Sequence, residues 1–313
     1  MPSPEFRTLD GVEYGTVEQV TPLIRRVVAE NPSKFTYRGT GTYIVGHGDV
    51  IVIDPGPQLD SHREALAAAL MGDRVRAILI THCHADHSPL ASWLRAESGA
   101  PTVAFGPHPR PEPGTQPVEL PGDPPEDDVE IEESTDFDFS PDVFATDGDT
   151  VDSVGLTLTA VHTPGHTSNH LCWALAEERA LFTGDHVMGW STTVVSPPDG
   201  SMVDYLDSLR RVAGRDDAVL WPTHGPPRDD AATYVRSLID HRIAREAGVL
   251  SAVRAGQCTI PEIVELLYAN VRVELHKPAG RSVWAHLVKL VADGDVEVEG
   301  GGPATLDGTY RAG

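Results

Sequence analysis

Cysteine is scarce in this chain: Cys83, Cys172 and Cys258 are odd in number and widely spaced among 313 residues. Such a set suits reduced thiols and argues against a disulfide framework. Cations are short as well, with 24 Lys and Arg against 47 Asp and Glu, and the net charge of -23 disfavours polyanionic partners such as nucleic acid or an anionic membrane surface. No run of about 18 apolar residues is present to span a bilayer. The opening Met1-Pro2-Ser3-Pro4-Glu5 has no basic-then-apolar signal pattern, so the expectation is a cytoplasmic protein with no membrane partner. With 40% hydrophobic residues there is material for one large domain and a small one.

The acidic surplus is concentrated between Pro107 and Asp142, where Glu126-Asp127-Asp128, Glu130, Glu132-Glu133, Asp136 and Asp138 lie among many prolines. Few core-forming residues occur there, and the stretch reads as a solvated loop or partly disordered insertion.

What the chain does have is a cluster of metal-type donors at Thr81-His82-Cys83-His84-Ala85-Asp86-His87. The preceding run Val75–Ile80 is short, apolar and β-branched, which predicts a buried strand delivering the cluster onto a loop. Ser88 is the expected N-cap and Pro89 the first residue of a helix through Leu90 to Ala96. In extended backbone alternate side chains share a face, so His82 and His84 point to one spot and can share a borderline metal such as zinc, while Cys83 packs on the other side. Where the chain turns, Asp86 and His87 are displaced toward a second centre nearby, as two-metal hydrolases require.

Strands are also expected over Gly15–Val20, Thr40–Gly46 and Val50–Gly56, with a helix over Asp60–Met71. The third of these strands ends on Asp54, immediately before Pro55-Gly56, where a carboxylate has no packing value; it is the expected acceptor for the second ring N–H of a ligating histidine. Beyond the acidic stretch, Leu156–Val161 runs into His162–His170. Residues 171–175 and 179–186 form an expected hairpin about Ala176-Glu177-Glu178, and Ala218–Gly225 ends on His224. A histidine or aspartate at the end of four separate strands has no packing explanation.

Together, His82-x-His84-x-Asp86-His87, His166 in Thr163-Pro164-Gly165-His166-Thr167, Asp185 in Thr183-Gly184-Asp185 and His224 in Thr223-His224-Gly225 resemble the metal motifs of the metallo-β-lactamase fold over roughly residues 15 to 240. The resemblance implies an α/β fold, an αββα sandwich with two Zn2+ at one edge, iron or manganese being alternatives. His82, His84 and His166 would hold one ion, Asp86, His87 and His224 the other, with Asp185 bridging and Asp54 behind. Asp86 and Asp185 would be catalytic, orienting a metal-bridging hydroxide. Ser191–Met202 and the C-terminal segment resemble the glyoxalase II-related branch of lactamase-beta-like proteins, which includes animal endoribonucleases and fungal polyketide thioesterases. Members often carry Asn where this chain has Gly41, and they lack so long an acidic insertion.

The implied function is a dinuclear zinc hydrolase of a small acyl substrate: thioester, lactone or ester. Single-stranded RNA is the alternative substrate, disfavoured by the shortage of cations along any path for the strand. A mononuclear iron enzyme like the persulfide dioxygenases would use His82, His84 and His166 or Asp185 and ignore Asp86-His87. A DNA-binding regulator with a silent metal site is a third reading. His170 and His186 are candidate leaving-group acids, His170 better suited to a hydrogen bond behind the loop and His186 as readily a packed neighbour. Trp190, Val194, Val195 and Met202 are available as an apolar wall for the acyl group.

Two domains follow, a catalytic one over 1–240 and a winged-helix-like one over 241–313. The latter has expected helices over Asp240–Ala255, Ile260–Tyr268 and Ser282–Val291, then strands over 295–299 and 308–311 as a wing. It offers few cations besides Arg281 and Lys289, so a lid over the active site, lined by Trp284 and His286, is preferred to DNA binding.

Overall fold

A computed structural model describes residues 4–110, 134–269 and 276–313. A seven-stranded sheet is built in chain order from β1 (Val17–Gln19), β2 (Ile24–Val28), β3 (Gly41–His47), β4 (Asp49–Ile53), β5 (Arg74–Leu79), β6 (Thr102–Ala104) and β7 (Val143–Phe144). Side chains alternate along these strands as extended geometry dictates. Tyr43, Val45, Ile51, Ile53, Ala77 and Leu79 face an inner core. Ile44, Val50, Val52 and Ile78 face the opposite way, onto α1 (Asp60–Ala69) and α2 (Leu90–Ser98).

The second sheet holds β8 (Thr150–Ser153), β9 (Leu156–His162), β10 (Leu171–Leu175), β11 (Ala180–Gly184) and β12 (Val219–Pro222), in the order β12-β11-β10-β9-β8. Leu171, Trp173, Leu175 and Phe182 close the inner core from this side. Trp173 is wholly buried between the sheets, and its loss to alanine would cost about 3–5 kcal/mol. Cys172, Ala174 and Leu181 turn outward to α3 (Met202–Ala213) and the first half of α4 (Ala231–Arg254). The four layers are the αββα sandwich the motifs implied. β9 and β11 are each antiparallel to β10, and β12 is parallel to β11, so all three open their C-terminal ends at one edge.

Three local expectations change. Ser88 does not cap α2: the N-cap is Pro89, with no side-chain cap bond, and Ser88 Oγ donates to Asp136 Oδ2 at 2.7 Å. The first C-terminal helix begins at Ala231, not Asp240, and Asp230 before it spends its carboxylate on Arg228 at 2.8 and 2.9 Å. The acidic stretch is more than a solvated loop at its C-terminal end. There Ala85 N donates to Ser134 O at 3.0 Å, Asp136 N donates to Cys83 O at 2.8 Å, and Thr135 bridges to His84, which stitches this end onto the metal-type loop. Glu126, Asp127, Asp128, Glu130, Glu132 and Glu133 lie outside the described residues.

β2 and α3 were not anticipated. The two consecutive arginines of β2 disguise a strand, because tertiary partners neutralise them: Arg25 meets Asp73 and Arg26 meets Glu18, each at 2.6 Å. α3 buries Met202, Tyr205, Leu206, Leu209 and Val212, a helical spacing, behind Ser201 as N-cap.

At the C-terminal end, α5 (Ile260–Leu267) starts with a capping box of Thr259 and Glu262, and α6 (His276–Ala292) leads to the antiparallel pair β13 (Val296–Val298) and β14 (Tyr310–Ala312). These elements share a separate apolar core with Val249, Ala252 and Val253 from the second half of α4. Trp284 and His286 do not line a lid. Trp284 Nε1 donates to Ala304 O at 3.0 Å within that core, and His286 is buried 3.4 Å from Glu246, with burial pushing its pKa down to about 4. Among the described residues, no helix is long and apolar enough to cross a membrane.

Candidate metal centre

The donors predicted from the sequence meet at the sandwich edge where β5, β9, β11 and β12 end. His82 Nε2 lies 2.9 Å from His84 Nδ1, which lies 3.2 Å from His166 Nε2. Beside this trio, Asp86 approaches His224 Nε2 at 3.2 Å through Oδ2 and His87 Nε2 at 3.4 Å through Oδ1. Asp185 stands between the two sets, its Oδ1 at 3.4 Å from His224 and 3.7 Å from His87, its Oδ2 at 3.9 Å from His166. Three groups could therefore each hold an ion: His82 with His84 and His166, His82 with His87 and Asp185, and Asp86 with His87 and His224.

These residues fit metal. Two nitrogen donors on one tetrahedral zinc, each at about 2.05 Å, stand about 3.3 Å apart, and the nitrogen–nitrogen separations of 2.9 and 3.2 Å lie just below that. His87 Nε2 and Asp185 Oδ1 are buried and have no hydrogen-bond partner among the described residues, a costly state for groups aimed at one another's site unless a cation serves both. Imidazole nitrogens and carboxylates are a donor set suited to zinc, and also to iron or manganese.

The surroundings select which imidazole nitrogen is left free. His166 Nδ1 donates to Val194 O at 2.7 Å and His224 Nδ1 to Gly39 O at 3.2 Å. His87 Nδ1 donates to Asp54 Oδ2 at 2.9 Å. Thr81 gives its hydroxyl hydrogen to the same Asp54 oxygen at 2.7 Å, so toward His82 Nδ1, 3.1 Å away, it can only accept. In all four rings Nε2 is the nitrogen turned inward.

Asp54 also accepts from Thr81 N at 2.8 Å and Thr223 Oγ1 at 3.2 Å, and it adopts φ +47° to do so. Thr40 Oγ1 donates to Asp86 Oδ2 at 2.9 Å and is itself held by Asn31. Sequence reasoning missed Thr40, Thr81, Thr223 and Asn31 in these supporting roles. The signal was there: a threonine precedes the donors in Thr81-His82, Thr163-Pro164-Gly165-His166, Thr183-Gly184-Asp185 and Thr223-His224.

The two sets differ in charge. Burial, with the neighbouring imidazoles, holds His82 well below its usual pKa, brings His84 down to about 3, and lowers His166. These three are neutral, ready to coordinate. Burial also opposes charge on His87 and His224, but Asp86 and Asp185 outweigh it, lifting His87 to about 9 and His224 well above the ordinary range. The same pairing lowers Asp86 and Asp185 against their own desolvation.

The remaining sequence candidates lie around this core. His170 is buried, with Nδ1 2.9 Å from Thr163 Oγ1 and Nε2 accepting from Asp185 N at 3.3 Å, behind the loop. Only glycine fits at Gly184, since a Cβ there would lie 2.6 Å from His170 Nε2. His186 is wholly buried against Tyr205, its ring 5.1 Å away, the position of a packed imidazole and not of a leaving-group acid facing the opening. Trp190 is half-buried and stacks on Tyr37 at 4.8 Å, packed over Gly225 next to His224. Val194 is half-buried too, whereas Val195 and Met202 are drawn into the core under α3, so they form no part of an apolar wall. Cys83 is buried and held by Asn169 Nδ2 at 3.2 Å, burial raising its thiol to about 12. A residue not anticipated is His108, buried 3.8 Å from Asp199, which accepts from Ser168 N two residues past His166.

Comparison with known proteins identifies the family. The family described as Metallo-beta-lactamase superfamily matches residues 37–224, and the Beta-lactamase associated winged helix domain matches residues 259–303. A lactamase-like protein of Aspergillus niger is 31% identical, covering 91% of this chain and 85% of its own length. An atrochrysone carboxyl ACP thioesterase of Aspergillus chevalieri is also 31% identical, covering 91% and 87%. A metallo-beta-lactamase family protein from Thermus thermophilus superposes with a TM-score of 0.73 at 23% identity, over 94% of this chain and all of its own. A beta-lactamase domain protein from Burkholderia ambifaria gives 0.76 at 20% identity, over 99% and 97%, and at such identities these two solved structures speak for the fold alone. The chain belongs to the metallo-beta-lactamase superfamily, as a hydrolase of that superfamily with a beta-lactamase-associated winged-helix domain behind its catalytic sandwich.

Proposed function

We propose that the chain is a two-zinc hydrolase of a small acyl substrate, a thioester foremost. The observation that carries this reading is the placement of Asp185, which turns one carboxylate oxygen to His166 and the other to His87 and His224. His82, His84 and His166 would hold one ion, and Asp86, His87 and His224 the other. A complete second set favours two metals over a mononuclear iron site, which would have no use for it. Zinc, when bound, supplies Lewis-acid polarisation of the carbonyl and a water of near-neutral pKa.

The chain's own groups do the rest. Asp54, Thr81, Val194 and Gly39 fix the ring orientations, so the donors need no reorganisation when substrate arrives. Asp86, steadied by Thr40, and Asp185 can each accept a hydrogen from the attacking water and aim its lone pair. The Trp190–Tyr37 stack and Val194 offer an apolar surface beside the centre for an acyl chain. The thioesterase relative supports the substrate class, and the deficit of cations supports an acyl substrate over RNA. The same reading divides the chain into a catalytic unit over 1–240 and a C-terminal unit over 241–313.

The test is a turnover panel with zinc-loaded protein on short acyl thioesters, lactones, esters and single-stranded RNA. Acyl hydrolysis that disappears in His84→Ala is expected. Metal-dependent RNA cleavage, lost in the same variant and without any acyl turnover, would overturn the substrate class.

A further inference from the structure

α4 carries a buried stripe of Tyr234, Val235 and Leu238 in its first half and Val249, Ala252 and Val253 in its second. Between them, one turn beyond Leu238, the stripe is occupied by Arg242, only 3% exposed. Desolvating a guanidinium costs several kcal/mol, and a leucine would pack there without that penalty. The arginine is engaged in something other than packing.

Its Nη2 donates to the carbonyl of Thr193, and its guanidinium lies 5.3 Å from the ring of Tyr205. Thr193 is itself buried, and its Oγ1 donates to Asp185 O at 2.7 Å, with His186 O at 3.1 Å. The next residue, Val194, supplies the carbonyl that accepts His166 Nδ1–H at 2.7 Å. Tyr205 Oη donates to His186 O at 3.1 Å from beneath. Two adjacent peptide units, 193 and 194, thus touch the residue between the two donor sets and one member of the first set. The side chain that grips those units comes from the helix shared with the C-terminal core.

We propose that Arg242 is a positioning residue for the metal centre, acting through Thr193 on the backbone of Asp185 and through Val194 on the ring of His166. The C-terminal unit is then a brace for the site. This inference rests on the two-zinc reading. Without the clamp the 193–194 segment is freer to shift, and both the Asp185 carboxylate and the His166 ring lose their fixed direction. Loss of such outer partners typically weakens metal binding 10–100-fold.

The experiment uses the full chain loaded with cobalt(II), read by its visible ligand-field bands, and zinc affinity measured by competition with a chromophoric chelator. The variants are Arg242→Met, Arg242→Lys, Thr193→Val and Thr193→Ser. As a control, Arg281→Met removes another grip on the same loop, the contact of α6 with Ser196 Oγ at 3.4 Å, which leads to no donor. Expected are shifted bands and roughly ten-fold or greater loss of zinc affinity in Arg242→Met and Thr193→Val, restoration in Thr193→Ser, partial restoration in Arg242→Lys, and no shift in Arg281→Met. Bands and affinity unchanged in folded Arg242→Met would overturn the proposal, and unchanged values in Thr193→Val would overturn its route through the Thr193 hydroxyl. If Arg242→Met does not fold, Arg242→Lys decides: bands and affinity identical to wild type there would overturn the proposal. Wild-type protein that takes up neither cobalt nor zinc overturns the two-zinc reading and this inference with it, whereas metal-loaded wild type with indifferent variants sinks only the inference.

Discussion

Oδ2 of Asp54 lies 2.9 Å from Nδ1 of His87, and both side chains are almost wholly buried at the end of β4 and in the loop after β5. The same carboxylate accepts from Thr81 and Thr223, so it ties together the backbone behind both donor sets. In Asp54→Asn an amide hydrogen would meet donors from several directions. Zinc affinity is expected to fall about 10–100-fold, with about 1–3 kcal/mol lost in unfolding of the metal-free chain. Chelator competition and denaturant unfolding check both figures, and wild-type zinc retention in the variant would count against the role of Asp54.

His84 belongs to none of the apolar clusters and sits, partly buried, on a loop. His84→Ala is therefore expected to keep its circular dichroism spectrum while losing an ion and all metal-dependent turnover. A variant purified with full metal content and full activity would show the assignment to be wrong.

Asp185 turns one carboxylate oxygen to each set, so Asp185→Asn should weaken both ions together, where His84→Ala weakens chiefly one. Zinc content after dialysis separates the outcomes. Two tightly held zinc ions in Asp185→Asn would refute the bridging placement.

Metal uptake should depend on pH unequally. His82, His84 and His166 are already neutral at pH 7, whereas Asp86 and Asp185 keep His87 protonated up to about 9 and raise His224 well above its ordinary value. An ion entering beside Asp86 must displace those protons, so its affinity rises about ten-fold per pH unit for each proton released and levels off once pH passes the raised pKa values. The metal-free chain has the opposite slope. The raised pKa of His87 contributes stability that is fully present below its unfolded value near 6.5 and is lost as pH climbs through about 9. Zinc titrations at pH 6 and pH 8 should show one pH-indifferent equivalent and one that tightens. Two equivalents of identical pH dependence would contradict this division.

Much of this was legible because it is local. Alternation in β3, β4, β5 and β10 encodes which face of each strand is inner core, and the donors follow directly at strand ends, where a short-range pattern of histidines and aspartates has no packing use. His82 and His84 converge because extended backbone puts alternate residues on one side, whatever the remainder of the chain does. The capping box at Thr259 and Glu262 was equally open to reading from four residues.

By itself, then, the sequence determined most of the strand pattern and singled out the candidate donors, since each strand and each donor motif is read from residues within a few positions. Only the tertiary structure decided what surrounds them. That Thr40 and Asn31 steady Asp86, that Ser134–Asp136 is stitched to the loop of His84, and that Val195 and Met202 are core and not wall all depend on partners tens of residues away. The same is true of Arg242, whose carbonyl acceptor is 49 residues distant in the chain. Periodicity determines which face a residue occupies on its own element. Only the packing of one element against another decides what that face meets, and a buried charge in an apolar stripe acquires its meaning from the group it meets there.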